Sequence, residues 1–102
     1  DEAIAAHSDG ADIISTTLAG YTEHRAKTHG PDFELVKDIR QALGSDVFLT
    51  AEGRYHTPEW AAEALTLGAD AVIIGTAITD VSFVTAQFVT AVTAAATTED
   101  KQ

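Results

Sequence analysis

The tripeptide Gly-Ala-Asp occurs twice in this chain, at Gly10-Ala11-Asp12 and Gly68-Ala69-Asp70, and both copies run into β-branched residues, Ile13-Ile14 and Val72-Ile73-Ile74. Glycine suits the left-handed position that ends a helix. A short continuous apolar run suits a strand buried on both faces of a parallel sheet. Each copy therefore reads as a helix stop feeding a strand, from Asp12 to Thr16 and from Ala69 to Ile74. A third run, Asp46-Val47-Phe48-Leu49-Thr50-Ala51, has the same character. Helical periods fill the gaps. Phe33, Leu35, Val36, Ile39 and Leu43 form one apolar face over 33–43. Thr57 as N-cap, Pro58 at the first helical position and Glu59 beside the positive dipole end start a helix that runs to Leu67. A last helix spans Val81 to Ala96 with Val81, Val84, Phe88, Val89 and Val92 on one stripe, and Asp1–Ser8 reads as the end of a helix. The expectation is an α/β fold of three consecutive parallel β/α units over residues 1–97, followed by a polar tail, 98–102.

That architecture gives the stretch Thr50-Ala51-Glu52-Gly53-Arg54-Tyr55-His56-Thr57-Pro58-Glu59 its meaning. In barrels built from such units, residues just beyond the carboxyl ends of the strands face the active site, so Glu52 and Arg54 are functional candidates. A bland alternative for Glu52 is an ion pair with Arg54 or a lysine. Gly75-Thr76-Ala77 follows the third strand and suits a phosphate cradle. Glycine lets the backbone approach an anion, the Thr76 hydroxyl can donate, and amides near the start of the next helix, from about Asp80, would point at it. Thr16 and Thr17 end the first strand, where their hydroxyls either bind sugar oxygens or satisfy nearby backbone groups. Together these residues have the character of a sugar-phosphate site.

The remaining aromatic and titratable residues have competing readings. Tyr21, His24, Arg25, Lys27 and His29 sit in the loop from Ala19 to Gly30, which is either a lid over the site or a solvated connection. His24 and His29 lack a recognisable metal-ligand spacing. His7 reads as a helix-surface residue. His56 adjoins the Glu52 motif and is as readily explained by the helix start beside it. Trp60, Phe33 and Phe88 read as packing residues.

Sixteen acidic against six basic residues give a formal net charge of −10 with no basic cluster. This argues against nucleic acid and anionic membrane as partners. The acids are scattered as on a solvated surface, a composition that would also suit a high-salt cytoplasm. An anionic substrate then requires local positive potential from Arg54, helix N-termini and backbone amides. The absence of cysteine excludes a disulfide scaffold and cysteine-based zinc sites. No apolar run reaches about eighteen residues and no basic leader opens the chain, so the expected compartment is the cytoplasm.

Four motifs in one order carry a resemblance. They are Gly10-Ala11-Asp12-Ile13-Ile14 running into Thr16-Thr17-Leu18-Ala19-Gly20-Tyr21-Thr22, then Pro31-Asp32-Phe33-Glu34-Leu35-Val36-Lys37, Ala51-Glu52-Gly53-Arg54-Tyr55 with Thr57-Pro58, and Gly75-Thr76-Ala77-Ile78-Thr79. With them the chain resembles, over nearly its whole length, the C-terminal portion of the bacterial N-acetylmannosamine-6-phosphate 2-epimerases, also called N-acylglucosamine-6-phosphate 2-epimerases. The resemblance implies part of a TIM (β/α)8 barrel and an isomerase of amino-sugar (sialic acid) catabolism. Such an enzyme interconverts N-acetylmannosamine 6-phosphate and N-acetylglucosamine 6-phosphate by removing and returning the C2 proton without a cofactor. It implies Glu52 as the active-site carboxylate. The backbone of Gly53 and Arg54 and of Gly75 and Thr76 then matches the family's phosphate-binding region, and Thr17, from its place at the strand end, is the further candidate contact to the phosphorylated sugar.

The family's catalytic lysine belongs to earlier strands that are not in this chain. Eight strands close such a barrel, so an N-terminal barrel half or a partner chain is expected, and a homo-oligomer once complete. The absence of methionine and the start within a helix agree with a piece of a longer protein. Asp80 departs from the arginine common in relatives, and Ser15 from their glycine. An aspartate at a helix start complements the macrodipole, while its charge would oppose a phosphate there. Another phosphate-binding barrel enzyme and a non-catalytic half-barrel are the alternatives.

Overall fold

Three side chains set where the main helices begin. Asp32 Oδ1 accepts a hydrogen bond from the Leu35 amide at 3.0 Å, Thr57 Oγ1 from the Trp60 amide at 3.1 Å, and Asp80 Oδ1 from the Phe83 amide at 3.0 Å. Each satisfies one of the amides that a helix start leaves without an intrahelical partner. The computed structural model describes residues 1–17 and 29–98. Its elements are α1 (Glu2–Ser8), β1 (Ile13–Ser15), α2 (Phe33–Leu43), β2 (Phe48–Glu52), α3 (Pro58–Thr66), β3 (Ala71–Ile73), α4 (Thr76–Thr79) and α5 (Val81–Thr98).

The order matches three β/α units with one addition. The strands form a parallel sheet in the order β1-β2-β3, with Ile13 opposite Phe48, Ser15 opposite Thr50, Thr50 opposite Ala71 and Glu52 opposite Ile73. The expected boundaries hold for α2. Both outer strands are shorter than read, and β2 is shifted to include Glu52. The addition is α4, a single turn between β3 and α5 with Gly75 as its N-cap. The helix expected from about Asp80 is thus preceded by another. Asp80 is extended and caps α5 rather than lying in its first turn. α5 continues to Thr98, the first residue of the expected tail.

The two faces of the sheet differ. Ile14, Leu49 and Ala51 lie on the face that packs against Val36 and Ile39 of α2 and Ala64 of α3, and Leu49 is wholly buried. Side chains alternate along a strand, so Ile13, Phe48, Thr50, Glu52 and Ile73 take the other face. No helix covers that face among the described residues, and Ile13, Phe48 and Ile73 are 60%, 48% and 47% exposed. Phe88 on α5, expected to pack, is 69% exposed, whereas Trp60 and Phe33 do pack against the core. α5 packs chiefly on α4, and its Val81, Phe88 and Val92 stripe is covered by none of the described elements.

The amino ends of the strands are stitched by one arginine. Arg40, in the last turn of α2, donates from Nε to the Gly68 carbonyl at 2.8 Å and from a terminal nitrogen to the Val47 and Gly44 carbonyls at 3.1 and 2.5 Å. Its other terminal nitrogen donates to Asp70 Oδ2 at 2.6 Å. Asp70 Oδ2 also accepts from the Leu49 amide at 2.9 Å, and the Asp70 amide donates to the Leu49 carbonyl at 2.7 Å. The bond from the Leu49 amide first, with help from Arg40, holds the Asp70 carboxyl below its ordinary value of 3.8 against the opposing effect of desolvation. The aspartate of the second Gly-Ala-Asp copy thus joins two strands as well as following a helix stop.

Candidate active site

Glu52 is the last residue of the central strand and lies on the face that the helices leave open. Register accounts for what holds it. Ser15 is opposite Thr50, so the chain beyond β1 brings Thr16 and Thr17 alongside Ala51 and Glu52. The Thr16 hydroxyl donates to the Glu52 carbonyl at 2.8 Å and accepts from the Glu52 amide at 2.9 Å. The Thr17 hydroxyl donates to Glu52 Oε1 at 2.7 Å. Of the two readings open for Thr16, the structure shows the backbone one. Glu52 forms no ion pair with a described residue.

Beyond Glu52 the chain turns through two consecutive left-handed residues, Gly53 (φ 112°) and Arg54 (φ 62°). Arg54 is the one non-glycine described residue with positive φ. A non-glycine residue in that region costs about 1 kcal/mol and persists where the surroundings hold it. Arg54 is only 8% exposed and has an interaction partner within the protein. Tyr55 follows, 4% exposed, with its ring edge-on to Phe33 at a centroid distance of 6.0 Å. Burial, with Asp32 and Glu63 nearby, pushes the Tyr55 hydroxyl up to about 12, so it stays protonated at physiological pH.

His56 has a structural setting. Its ring lies tilted, with centroid distances of 4.7 Å to Phe83 in the first turn of α5 and 6.4 Å to Trp60 in α3, and His29 meets Trp60 edge-on at 6.2 Å. These rings join the turn after β2 to the start of the last helix. His7 lies in the last turn of α1 and is half-buried.

Gly75 and Thr76 stand beyond β3, on the same sheet edge as Glu52, and both are exposed. A Cβ built on Gly75 would meet no atom within 4 Å, so the glycine leaves open space there. The Gly75 carbonyl takes up the amides of Ile78 and Thr79 at 2.9 and 3.0 Å as α4 begins. Of the loop from Ala19 to Gly30, the residues Tyr21, His24, Arg25 and Lys27 lie outside the described residues. Among the described residues no three His, Asp or Glu side chains gather as a metal site, and no helix is long and apolar enough to cross a membrane. Two features of the site carried no local sequence signal. One is the Thr17–Glu52 bond, which joins residues 35 positions apart; the other is α4, whose Thr-Ala-Ile-Thr is poor helix sequence.

Known proteins share the sequence pattern and the fold of this chain. The sequence profile of a family described as "Putative N-acetylmannosamine-6-phosphate epimerase" (NanE) matches residues 1–94. A Corynebacterium glutamicum (strain R) protein named "Putative N-acetylmannosamine-6-phosphate 2-epimerase" is 53% identical over 88 residues, which is 86% of this chain and 38% of that protein. The "Bifunctional enzyme NanE/NanK" of Brucella melitensis biotype 1 is 48% identical over 95 residues, covering 93% of this chain and 18% of its own length. The solved N-acetylmannosamine-6-phosphate 2-epimerase from Clostridium perfringens superposes with a TM-score of 0.78 at 38% identity, over 86% of this chain and 38% of that one. The chain thus spans less than two fifths of the length of these relatives. With nearly the whole chain matched by the profile, and the fold shared with a solved member, the chain belongs to the N-acetylmannosamine-6-phosphate epimerase family.

Proposed function

We propose that this chain is the C-terminal part of a (β/α)8 barrel that interconverts N-acetylmannosamine 6-phosphate and N-acetylglucosamine 6-phosphate, with Glu52 as an active-site carboxylate. One observation carries the reading. Glu52 stands at the carboxyl end of the central strand, on the uncovered face, with its backbone and one carboxylate oxygen tied down. The exposed Ile13, Phe48 and Ile73 on that face support a barrel interior that further strands complete.

The chemistry asked of the site is modest in parts and demanding in one step. The C2 proton of the sugar lies next to the C1 carbonyl of the open chain. Its removal leaves an enolate, and its return to the opposite face gives the epimer. A carbon acid this weak needs a placed acid/base group and a remote anchor that holds the sugar in register. Glu52 supplies the carboxylate. The left-handed turn at Gly53-Arg54 and the open end of β3 at Gly75-Thr76 supply the phosphate side through backbone amides and the Thr76 hydroxyl. The family's lysine would come from the remaining strands, and the reaction needs no cofactor. Asp80 has a structural role as the cap of α5, with one carboxylate oxygen engaged by the Phe83 amide. The complete enzyme is read as cytoplasmic and homo-oligomeric, and the uncharged α5 with its exposed valines and Phe88 supports self-association.

The test is incubation of the full-length protein with N-acetylmannosamine 6-phosphate in heavy water. Formation of the epimer with deuterium at C2 is expected. Absence of both epimer and deuterium would remove the reading.

A further inference from the structure

We propose that Thr16 and Thr17 form a clamp that places the Glu52 carboxylate before substrate arrives, and that Thr17 is a positioning residue rather than a contact to the sugar. The inference rests on the epimerase reading and deepens it.

The argument is an inventory of protons. A threonine hydroxyl has one proton to donate and lone pairs with which to accept. Thr16 donates its proton to the Glu52 carbonyl, accepts from the Glu52 amide, and is 4% exposed, so it has neither a proton nor an opening for a ligand. The Thr17 proton is committed to Glu52 Oε1 at 2.7 Å. Thr17 itself is exposed, so nothing about core packing requires a hydroxyl there. Its one described bond goes to the candidate carboxylate.

The consequence concerns geometry. A glutamate on an open sheet face has three rotatable side-chain bonds, and proton transfer requires it within hydrogen-bond reach of the reacting carbon's proton. Fixing Oε1 from the neighbouring strand leaves Oε2 as the oxygen presented to the sugar. Because Thr16 locks the Glu52 backbone and Thr17 its carboxylate, both ends of the side chain are referenced to β1. The clamp should therefore affect the chemical step more than sugar affinity.

The experiment compares wild type, Thr17→Val, Thr17→Ala and Thr17→Ser in the full-length enzyme by C2 proton exchange. Thr17→Val and Thr17→Ala are expected to lower kcat about tenfold to a hundredfold, the range for a misplaced catalytic group, with KM within about twofold. Thr17→Ser, which keeps the hydroxyl, is expected to restore kcat to within about threefold. A raised KM with kcat retained would make Thr17 a sugar contact and overturn the proposal, as would unchanged kinetics in Thr17→Val. If wild type itself exchanges no C2 proton, the epimerase reading fails instead. The clamp is then judged by crystal structures. Displacement of the Glu52 carboxylate in Thr17→Val and its retention in Thr17→Ser would support it, and an unmoved carboxylate in Thr17→Val would refute it.

Discussion

Replacing Arg40 by alanine should destabilise the fold substantially while leaving the chemistry of the remaining folded protein alone. Arg40 donates to three backbone carbonyls, at Gly44, Val47 and Gly68, in addition to Asp70. At roughly 1 kcal/mol net for each carbonyl bond, their loss comes to about 3 kcal/mol. The Arg40 side chain is 21% exposed, so water replaces part of this, and about 2–3 kcal/mol is expected. The exposed pairing with Asp70 is left out of that figure. The aliphatic stem adds to the loss, since a Cβ on Gly68 would lie 2.8 Å from Arg40 Cγ and the stem thus packs directly on that glycine. In a barrel-sized domain such a change lowers the melting midpoint by roughly 6 °C. Thermal and urea unfolding of full-length wild type, Arg40→Ala and Arg40→Lys are the assay. Lysine keeps the charge but lacks the planar fork that reaches several carbonyls at once, so it should recover only a minor part. Arg40 sits at the amino ends of the strands and Glu52 at a carboxyl end, so KM should not move. A loss below about 1 kcal/mol, or a lysine variant as stable as wild type, would refute the reasoning.

Two further predictions concern stability. The Asp70 carboxyl is held below its ordinary value in the fold, so its stabilisation is fully present above about pH 4 and is lost as pH falls through its lowered folded value. Asp70→Asn should therefore flatten acid unfolding below about pH 4, and an unchanged acid limb in the unfolding curve would speak against it. Thr57→Ala should cost about 1 kcal/mol by removing the cap of α3. Thr57→Ser should not, and equal urea midpoints for the two variants would exclude a capping role.

The parts of the fold that were legible before the structure are those written in local signals. α2 is found over the residues its apolar period indicates, and Asp32 supplies a cap that the period alone does not name. Thr57-Pro58 announces α3. The strands are less well bounded, since an apolar run does not reveal which of its residues find a ladder partner. Val47 is buried yet outside β2, while Glu52 joins β2 through Ile73. α4 was missed because β-branched threonines and an isoleucine give no helical period, and its only cue is the glycine before it.

Within the candidate site, the place of Glu52 after an apolar run was legible, and the chain's order of motifs pointed to the family. What holds Glu52 was not. The Thr17 bond depends on sheet register, which brings residues from adjacent strands together without leaving a spacing in the sequence. Arg40 hides in the same way. As a basic residue in the last turn of a helix it has a sufficient local explanation, and its reach to Gly68 and Asp70 exists only once α2, β2 and β3 are side by side.

The most direct test of the central claim is C2 proton exchange by the full-length Glu52→Gln variant, measured beside binding of N-acetylmannosamine 6-phosphate. Glutamine keeps the shape of the side chain and can still accept from Thr17, but it cannot carry a proton to or from carbon. Exchange should fall by at least about a hundredfold with binding retained. Exchange at the wild-type rate would contradict Glu52 as the active-site carboxylate and reduce it to part of the sheet edge.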